Sequence, residues 1–388
     1  MQIGIDLRCI PAEGDNGAGI PHASRELVRA LLNSAGHDDA WTLYLPKNSA
    51  SGDGRSLFQE CYGKNCRIVK IASATGGALR KALSEHPCQI LLVPSGAVAL
   101  GMRMPVVPWV HDIAIFDHPE WFPQSIFQRT LTTNLFRKGI TKAPRVLAVS
   151  EFTKSQLVSH FSLDVSRINV TWEGGDHVLA NLRDKGLAEA KQRARARMKA
   201  RGIDNPFILC LGTLEPRKNI PTLLKAWSQA RLSFRRRTDL VIAGRDGWKL
   251  GPIMKSLDTA KAGQSGINSH LHRIETPTDE HRRDLLLAAD AVALPSLYEG
   301  FGLVALEAMQ AGTAVLASTS GALPEVIGQA GVLLQSEDTD AWRDALVDLI
   351  DDHEKRRQLA DAGKSRSLDF TWENAARVAY GVLTQVKA

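Results

Sequence analysis

The most constraining feature of this chain is a rhythm that runs twice. Short apolar runs alternate with amphipathic stretches, the rhythm stops once, and then it restarts. The first series of candidate strands is residues 2–6, 41–45, 67–71, 89–93, 105–110 and 145–149. The second is residues 207–211, 240–243, 291–294, 314–317 and 332–334. Helical patterns lie between many of them, as over residues 22–32, where Leu27, Val28, Leu31 and Leu32 fall on one face. Strand and helix in alternation build a parallel sheet, because parallel neighbours need a crossover long enough for a helix. Between the two series, residues 171–176 break the pattern and residues 181–202 read as one polar, Arg-rich helix. The expectation is an α/β chain of two lobes, residues 1–178 and 179–370. A terminal helix, 371–388, starts at a Thr371 cap. With 388 residues, each lobe can bury its own core.

Composition removes several alternatives. Hydrophobic residues make up 44% and charged residues 23%, which is a globular mix. The longest nearly apolar stretch, residues 90–102, falls short of the about 20 residues a membrane helix needs, and Pro94 interrupts it. The chain opens on Ile3-Gly4-Ile5-Asp6, without the charged and then apolar regions of a secretory signal. Cys9, Cys61, Cys66, Cys88 and Cys210 form no C-x-x-C pair, so reduced thiols and a cytoplasmic location are expected. A net charge of +6 is mild, and no nucleic-acid partner is expected from it.

Four constellations could carry chemistry. The longest is Pro295-Ser296-Leu297-Tyr298-Glu299-Gly300-Phe301-Gly302-Leu303-Val304, continuing to Glu307. It follows a candidate strand, so it lies at the sheet edge where ligands bind in such folds. Gly300 and Gly302 let a ligand approach the backbone. A helix starting near Leu303 would offer free N–H groups to an anion. A glycine-rich turn without a ligand is the plain alternative. The second is Gly212-Thr213-Leu214-Glu215-Pro216-Arg217-Lys218-Asn219, again after a strand. Adjacent Arg217 and Lys218 suit a phosphate, and a solvated loop is the alternative reading. The third is His111-Asp112, ahead of His118-Pro119-Glu120-Trp121-Phe122-Pro123. His111 at a strand end can donate to a ligand or make a structural hydrogen bond; Asp112 can serve a site or a turn. The fourth is Asp6-Leu7-Arg8 with Gly17-Ala18-Gly19, which fails the dinucleotide fingerprint at His22. Asp338-Thr339-Asp340 imitates a metal-binding pair, but it stands where a helix cap is expected.

These strings together resemble the family-4 retaining glycosyltransferases, the bacterial polysaccharide-type group 1 enzymes. The resemblance implies the GT-B fold: two Rossmann-like lobes with parallel sheets facing a central cleft, and a C-terminal helix crossing back to the first lobe. It implies a nucleotide-sugar donor, held mostly by the second lobe, and a glycan or lipid-linked oligosaccharide acceptor on the side of the first. Glu299 would contact the donor sugar and Glu307 the ribose. Gly300 and the backbone of Phe301, Gly302, Leu303 and Val304 would reach sugar and diphosphate. Arg217 and Lys218, after Gly212, would neutralise the leaving diphosphate. His111 would lie near the transferred sugar, and Gly17 and Gly19 near the donor phosphates. No metal or other cofactor is expected. Mannosyl transfer from GDP-mannose is one donor reading. A non-catalytic nucleotide-sugar-binding subunit, and an epimerase or phosphorylase on the same fold, remain as alternatives. The chain departs from the family at Gly19-Ile20-Pro21-His22 and at Trp172-Glu173-Gly174-Gly175-Asp176.

The mild net charge hides a division. Residues 181–237 carry fifteen basic and four acidic side chains, and residues 238–388 carry fifteen and twenty-two. The basic segment reads as solvated helix faces or as weak attraction to an anionic membrane.

Overall fold

The computed structural model describes residues 1–11, 19–34, 39–47, 65–182, 184–262 and 270–386. The chain divides into two compact units. Unit 1 takes Met1–Asp117, Gln124–Gly174 and Thr371–Ala388; unit 2 takes His118–Pro123 and Gly175–Phe370.

Unit 1 is built on a seven-stranded parallel sheet. Its strands are β1 (Gln2–Asp6), β2 (Ala40–Pro46), β3 (Cys66–Ile71), β4 (Ile90–Val93), β5 (Val106–Val110), β6 (Val146–Ala148) and β7 (Ile168–Val170). Their order is β3-β2-β1-β4-β5-β6-β7. Unit 2 holds six parallel strands: β8 (Phe207–Leu211), β9 (Asp239–Ala243), β10 (Leu271–Ile274), β11 (Ala291–Leu294), β12 (Ala314–Ser318) and β13 (Val332–Leu334). Their order, β10-β9-β8-β11-β12-β13, runs outward from β8 in both directions. Each sheet therefore has a switch point, between β1 and β4 in unit 1 and between β8 and β11 in unit 2. The carboxyl ends of strands at such a point form a ready crevice.

Burial explains why these runs became strands. β4, β5, β8, β9, β11 and β12 are buried at every position, as expected where helices cover both faces. The unit 2 core gathers Leu223, Trp227, Leu240, Ile242, Leu316, Trp342 and Leu346. In unit 1, core clusters gather around Tyr44, Leu79 and Leu91 and around Val110, Ile140, Leu157 and Phe161.

The final helix, Trp372–Gln385, belongs to unit 1. Thr371 caps it by accepting from the Asn374 N–H at 3.1 Å. The Trp372 indole meets Trp109 edge-on at 6.4 Å between ring centroids, and the Tyr380 hydroxyl donates to Asp39.

Two boundaries differ from the sequence reading. The units part at Gly174/Gly175 rather than after residue 178. A Cβ on Gly174 would strike Trp372 of unit 1, and one on Gly175 would strike the Gln310 side chain of unit 2. The two glycines thus each press against a different unit. The second difference is His118–Pro123, which clusters with unit 2 although it lies deep within the first half of the chain. Trp248 Nε1 donates to the Trp121 carbonyl at 2.6 Å, Lys249 donates to the Glu120 carbonyl, and Phe122 lies against the Trp248 ring. The cysteine expectation also needs correction. Cys9, Cys88 and Cys210 are free thiols, but Cys66 is disulfide-bonded. A count of five and the lack of a C-x-x-C pair do not exclude a single bridge.

Candidate active site

The unit 2 site grows from two neighbouring strand ends. After β8 the chain turns at Gly212, whose N–H donates to the Ala243 carbonyl at 2.9 Å. It passes through a short 3-10 turn, Pro216–Lys218, before the helix Ile220–Ala230. Asn219, in the left-handed region with φ 50°, joins turn to helix. Its amide donates to the carbonyls of Pro295 (3.1 Å) and Ser336 (2.8 Å), and the Leu297 N–H donates to the Arg217 carbonyl at 2.7 Å. The loop after β8 is therefore fastened to the loop after β11.

That fastening brings four charges together. Lys218 Nζ donates to Glu299 Oε1 at 2.6 Å, Arg217 Nη1 lies 3.5 Å from Glu299 Oε2, and Arg217 Nε lies 2.6 Å from Glu215 Oε1. Ser296 Oγ donates to Glu299 at 2.7 Å. Burial works to raise the Glu299 carboxyl, but Lys218 and Arg217 outweigh it and hold it below its ordinary value. For Glu215 burial wins over the same two cations, with Glu299 adding repulsion, and the carboxyl is raised. The cluster is compact and close to neutral.

The second half of the motif is a helix start. Gly302, with φ 112°, precedes the helix Leu303–Gln310, and a Cβ there would press on Leu323. The first bond of the helix joins the Leu306 N–H to the Gly302 carbonyl at 3.1 Å. The N–H groups of Leu303, Val304 and Ala305 precede it and are the open donors of that helix end. Gly300 and Phe301 are buried, and Phe301 packs edge-on against Phe370 at 5.7 Å. Its side chain anchors the loop, so only its backbone can serve a ligand. Glu307, 2% exposed, is paired with Arg282 Nη2 at 2.7 Å; Arg282 comes from the helix Asp279–Ala288. Sequence reasoning missed Arg282, because nothing local marks it among Arg282-Arg283.

The remaining candidates belong to unit 1. His111 follows β5 at its carboxyl end, with Nδ1 2.8 Å from Glu173 Oε1 and Nε2 2.8 Å from the Pro94 carbonyl. A carbonyl only accepts, so Nε2 carries a hydrogen, and a proton shared with Glu173 completes the second bond. The signal for Glu173 was present as the departure Trp172-Glu173-Gly174, but its partner lay 62 residues away. Asp112 accepts from the Ala114 N–H at 3.2 Å, a turn role. Gly19 opens the helix Ile20–Ser34, where its carbonyl accepts from Ala23. Gly17 lies outside the described residues. Arg8 grips Asp6 with a bidentate ion pair and reaches the Ala97 carbonyl at 3.1 Å. Asp338 accepts from the Ala341 N–H as a helix cap, and Asp340 pairs with Arg343. No cluster of three potential metal ligands occurs among the described residues.

Adjacent cations, a helix start and two buried carboxylates can bind an anionic ligand that also presents hydroxyls. Residues 193–366 match the Glycosyl transferases group 1 family. O-antigen chain mannosyltransferase B of Escherichia coli is 31% identical over 264 residues, which cover 68% of this chain and 66% of that protein. Among solved structures, sucrose-phosphate synthase from Thermosynechococcus elongatus gives a TM-score of 0.76 at 18% identity, covering 100% of this chain and 99% of that one. Anabaena HepE in complex with UDP-glucose gives 0.73 at 18% identity, covering 100% of both chains. At such identities the structural likeness speaks for the fold, while the sequence matches speak for the family. With its group 1 domain, its named relatives and its two parallel sheets, this chain belongs to the group 1 glycosyltransferases of GT-B fold.

Proposed function

We propose that the chain transfers a sugar from a nucleotide-diphosphate sugar to an acceptor hydroxyl, with retention of anomeric configuration. The observation that carries the reading is the Lys218–Glu299 contact of 2.6 Å, with Arg217 beside it, at the switch point of unit 2. A sugar on a diphosphate needs both a hydroxyl-binding carboxylate and cations for the phosphates, and here one cluster supplies them. Glu299 takes sugar hydroxyls and Glu307 the ribose. Arg217, Lys218 and the N–H groups of Leu303 and Val304 meet the negative charge that grows on the diphosphate as the bond from sugar C1 to oxygen breaks. The acceptor oxygen bonds to C1 on the same face, and its proton passes to the departing phosphate oxygen. We assign acceptor recognition to unit 1; His111, whose ring nitrogens are held by Glu173 and the Pro94 carbonyl, meets a sugar hydroxyl by exchanging one of those two bonds.

Charge neutralisation by side chains and helix N–H groups gives a reaction without a required metal, so turnover should survive a chelator. A relative named as an O-antigen chain mannosyltransferase favours a mannose donor and a surface-polysaccharide acceptor; we take that acceptor to be lipid-linked, at the inner face of the cytoplasmic membrane. The deciding experiment offers UDP-, GDP- and dTDP-sugars with lipid-linked glycans and reads the anomer of the product by NMR. A retained anomer from one donor supports the reading. Nucleotide binding with no transfer to any acceptor sinks it and leaves a binding subunit.

A further inference from the structure

The helix Ile126–Lys142 of unit 1 carries apolar side chains on the wrong side for a core. Its inner face is already used: Phe136 packs on Phe116 and Phe161, Ile140 is buried, and a Cβ on Gly139 would strike Val98. Yet Phe127 is 78% exposed, Ile126 74%, Leu131 50% and Leu135 37%. Phe127, Leu131 and Leu135 stand four residues apart, so they form one stripe along the helix. Lys138 and Lys142, both exposed and three and seven residues beyond Leu135, continue the same helix face. From Phe127 to Lys142 the stripe runs about 22 Å. The whole helix contains Arg129, Arg137, Lys138 and Lys142 and no acidic residue.

We propose that this outer face docks on an anionic lipid bilayer, with the helix lying in the interface plane. An apolar stripe passing into lysines is the arrangement that buries side chains at the headgroup boundary while its cations meet anionic lipid. The charge selects the occupant. Two copies of the chain meeting through this face would bring their cations together with no acid to offset them. No helix among the described residues is long and apolar enough to cross a membrane. The inference replaces the basic segment of residues 181–237 as the membrane contact. There Arg195 pairs with Asp290 at 2.9 Å, Arg197 Nε lies 2.6 Å from Asp284, and Lys191 donates to the Gly312 carbonyl. The docking face rests on the transferase reading only for its purpose, which is to hold the enzyme at a lipid-linked acceptor.

The test floats the full chain with vesicles of phosphatidylcholine alone or mixed with phosphatidylglycerol. Wild type should bind the mixed vesicles and release at high salt. Phe127→Ser with Leu131→Ser should lower binding by about tenfold or more at an unchanged melting temperature. Lys138→Gln with Lys142→Gln, which removes no apolar contact, should lower it about fivefold per charge. Arg195→Gln with Arg197→Gln should bind as wild type. Equal binding by wild type and both stripe variants overturns the proposal. So does a wild-type dimer that Phe127→Ser breaks while no vesicle is bound. Sugar transfer to a water-soluble acceptor is read in parallel. Vesicle binding without transfer defeats the function and leaves the docking face; transfer without vesicle binding does the reverse.

Discussion

At the scale of single residues, the site turns on a balance between two carboxylates and two cations. Glu299 is buried and remains easily ionised only because Lys218 and Arg217 are beside it. On the proposed reading, replacing Lys218 would do two things: remove a cation from the diphosphate and loosen the carboxylate assigned to the sugar. Lys218→Ala should lower kcat by on the order of 10²–10³, the usual cost of losing one preorganised charge partner of a developing anion. Steady-state kinetics check it, and full turnover would falsify the assigned phosphate role. In unit 1, Glu173 is a positioning residue for His111. Glu173→Ala removes the side chain that holds Nδ1. The ring loses its fixed orientation, and kcat should fall by up to about a hundredfold with little change in KM. If KM alone moves, Glu173 serves binding and not positioning. Glu299, Glu307, Arg217 and Lys218 were identifiable as candidates because each sits in a continuous string. Glu173 and Arg282 were not, because a pair is defined by two distant positions and each member alone looks like an ordinary surface charge.

At the scale of elements, the buried parallel strands were the easiest to read. A strand covered on both faces must be apolar throughout, and β8 and β11 have the bounds expected from their apolar runs. β7 escaped, since Ile168-Asn169-Val170 is only three residues long with a polar residue at its centre. His118–Pro123 was visible as a string but not as a part of unit 2, because Trp248, which holds it, lies 127 residues on. The unit boundary has its own lock. Asp176 caps the helix His177–Ala180 by accepting from Val178 (2.8 Å) and Leu179 (3.1 Å), and it pairs with Arg283 Nε at 2.7 Å. Burial pushes its carboxyl up, but Arg283 and the two N–H groups win and hold it below the ordinary value. A lowered folded value means that the stabilisation is complete above an ordinary carboxylate pKa of about 3.9 and is lost as pH falls through the folded value. Asp176→Asn should cost about 1–3 kcal/mol at neutral pH. In urea titrations the gap to wild type should close as pH drops below about 4. A gap that stays constant into acid would mean that the side chain acts by shape alone.

At the scale of the molecule, the two units draw on separate cores. The cluster around Trp227 and Trp342 is confined to residues of unit 2, and the clusters around Tyr44 and Val110 to residues of unit 1. Cores that share no residues can melt separately, so calorimetry should resolve two transitions. The proposed donor-binding groups other than His111 and the first-lobe glycines all lie in unit 2, and a ligand stabilises only the part that binds it. A nucleoside diphosphate at a hundred times its Kd should add about 2.7 kcal/mol to the unit 2 transition. Hydrogen exchange identifies which transition is which, through the amides of β8 and β11 against those of β1 and β4. On the proposed reading, Glu307→Ala should remove part of the nucleotide-induced shift, because the ribose would lose its carboxylate while Arg217 and Lys218 would still hold the phosphates. A nucleotide that raises the unit 1 transition instead would place the donor on the wrong sheet and overturn the assignment of Arg217, Lys218, Glu299 and Glu307 together.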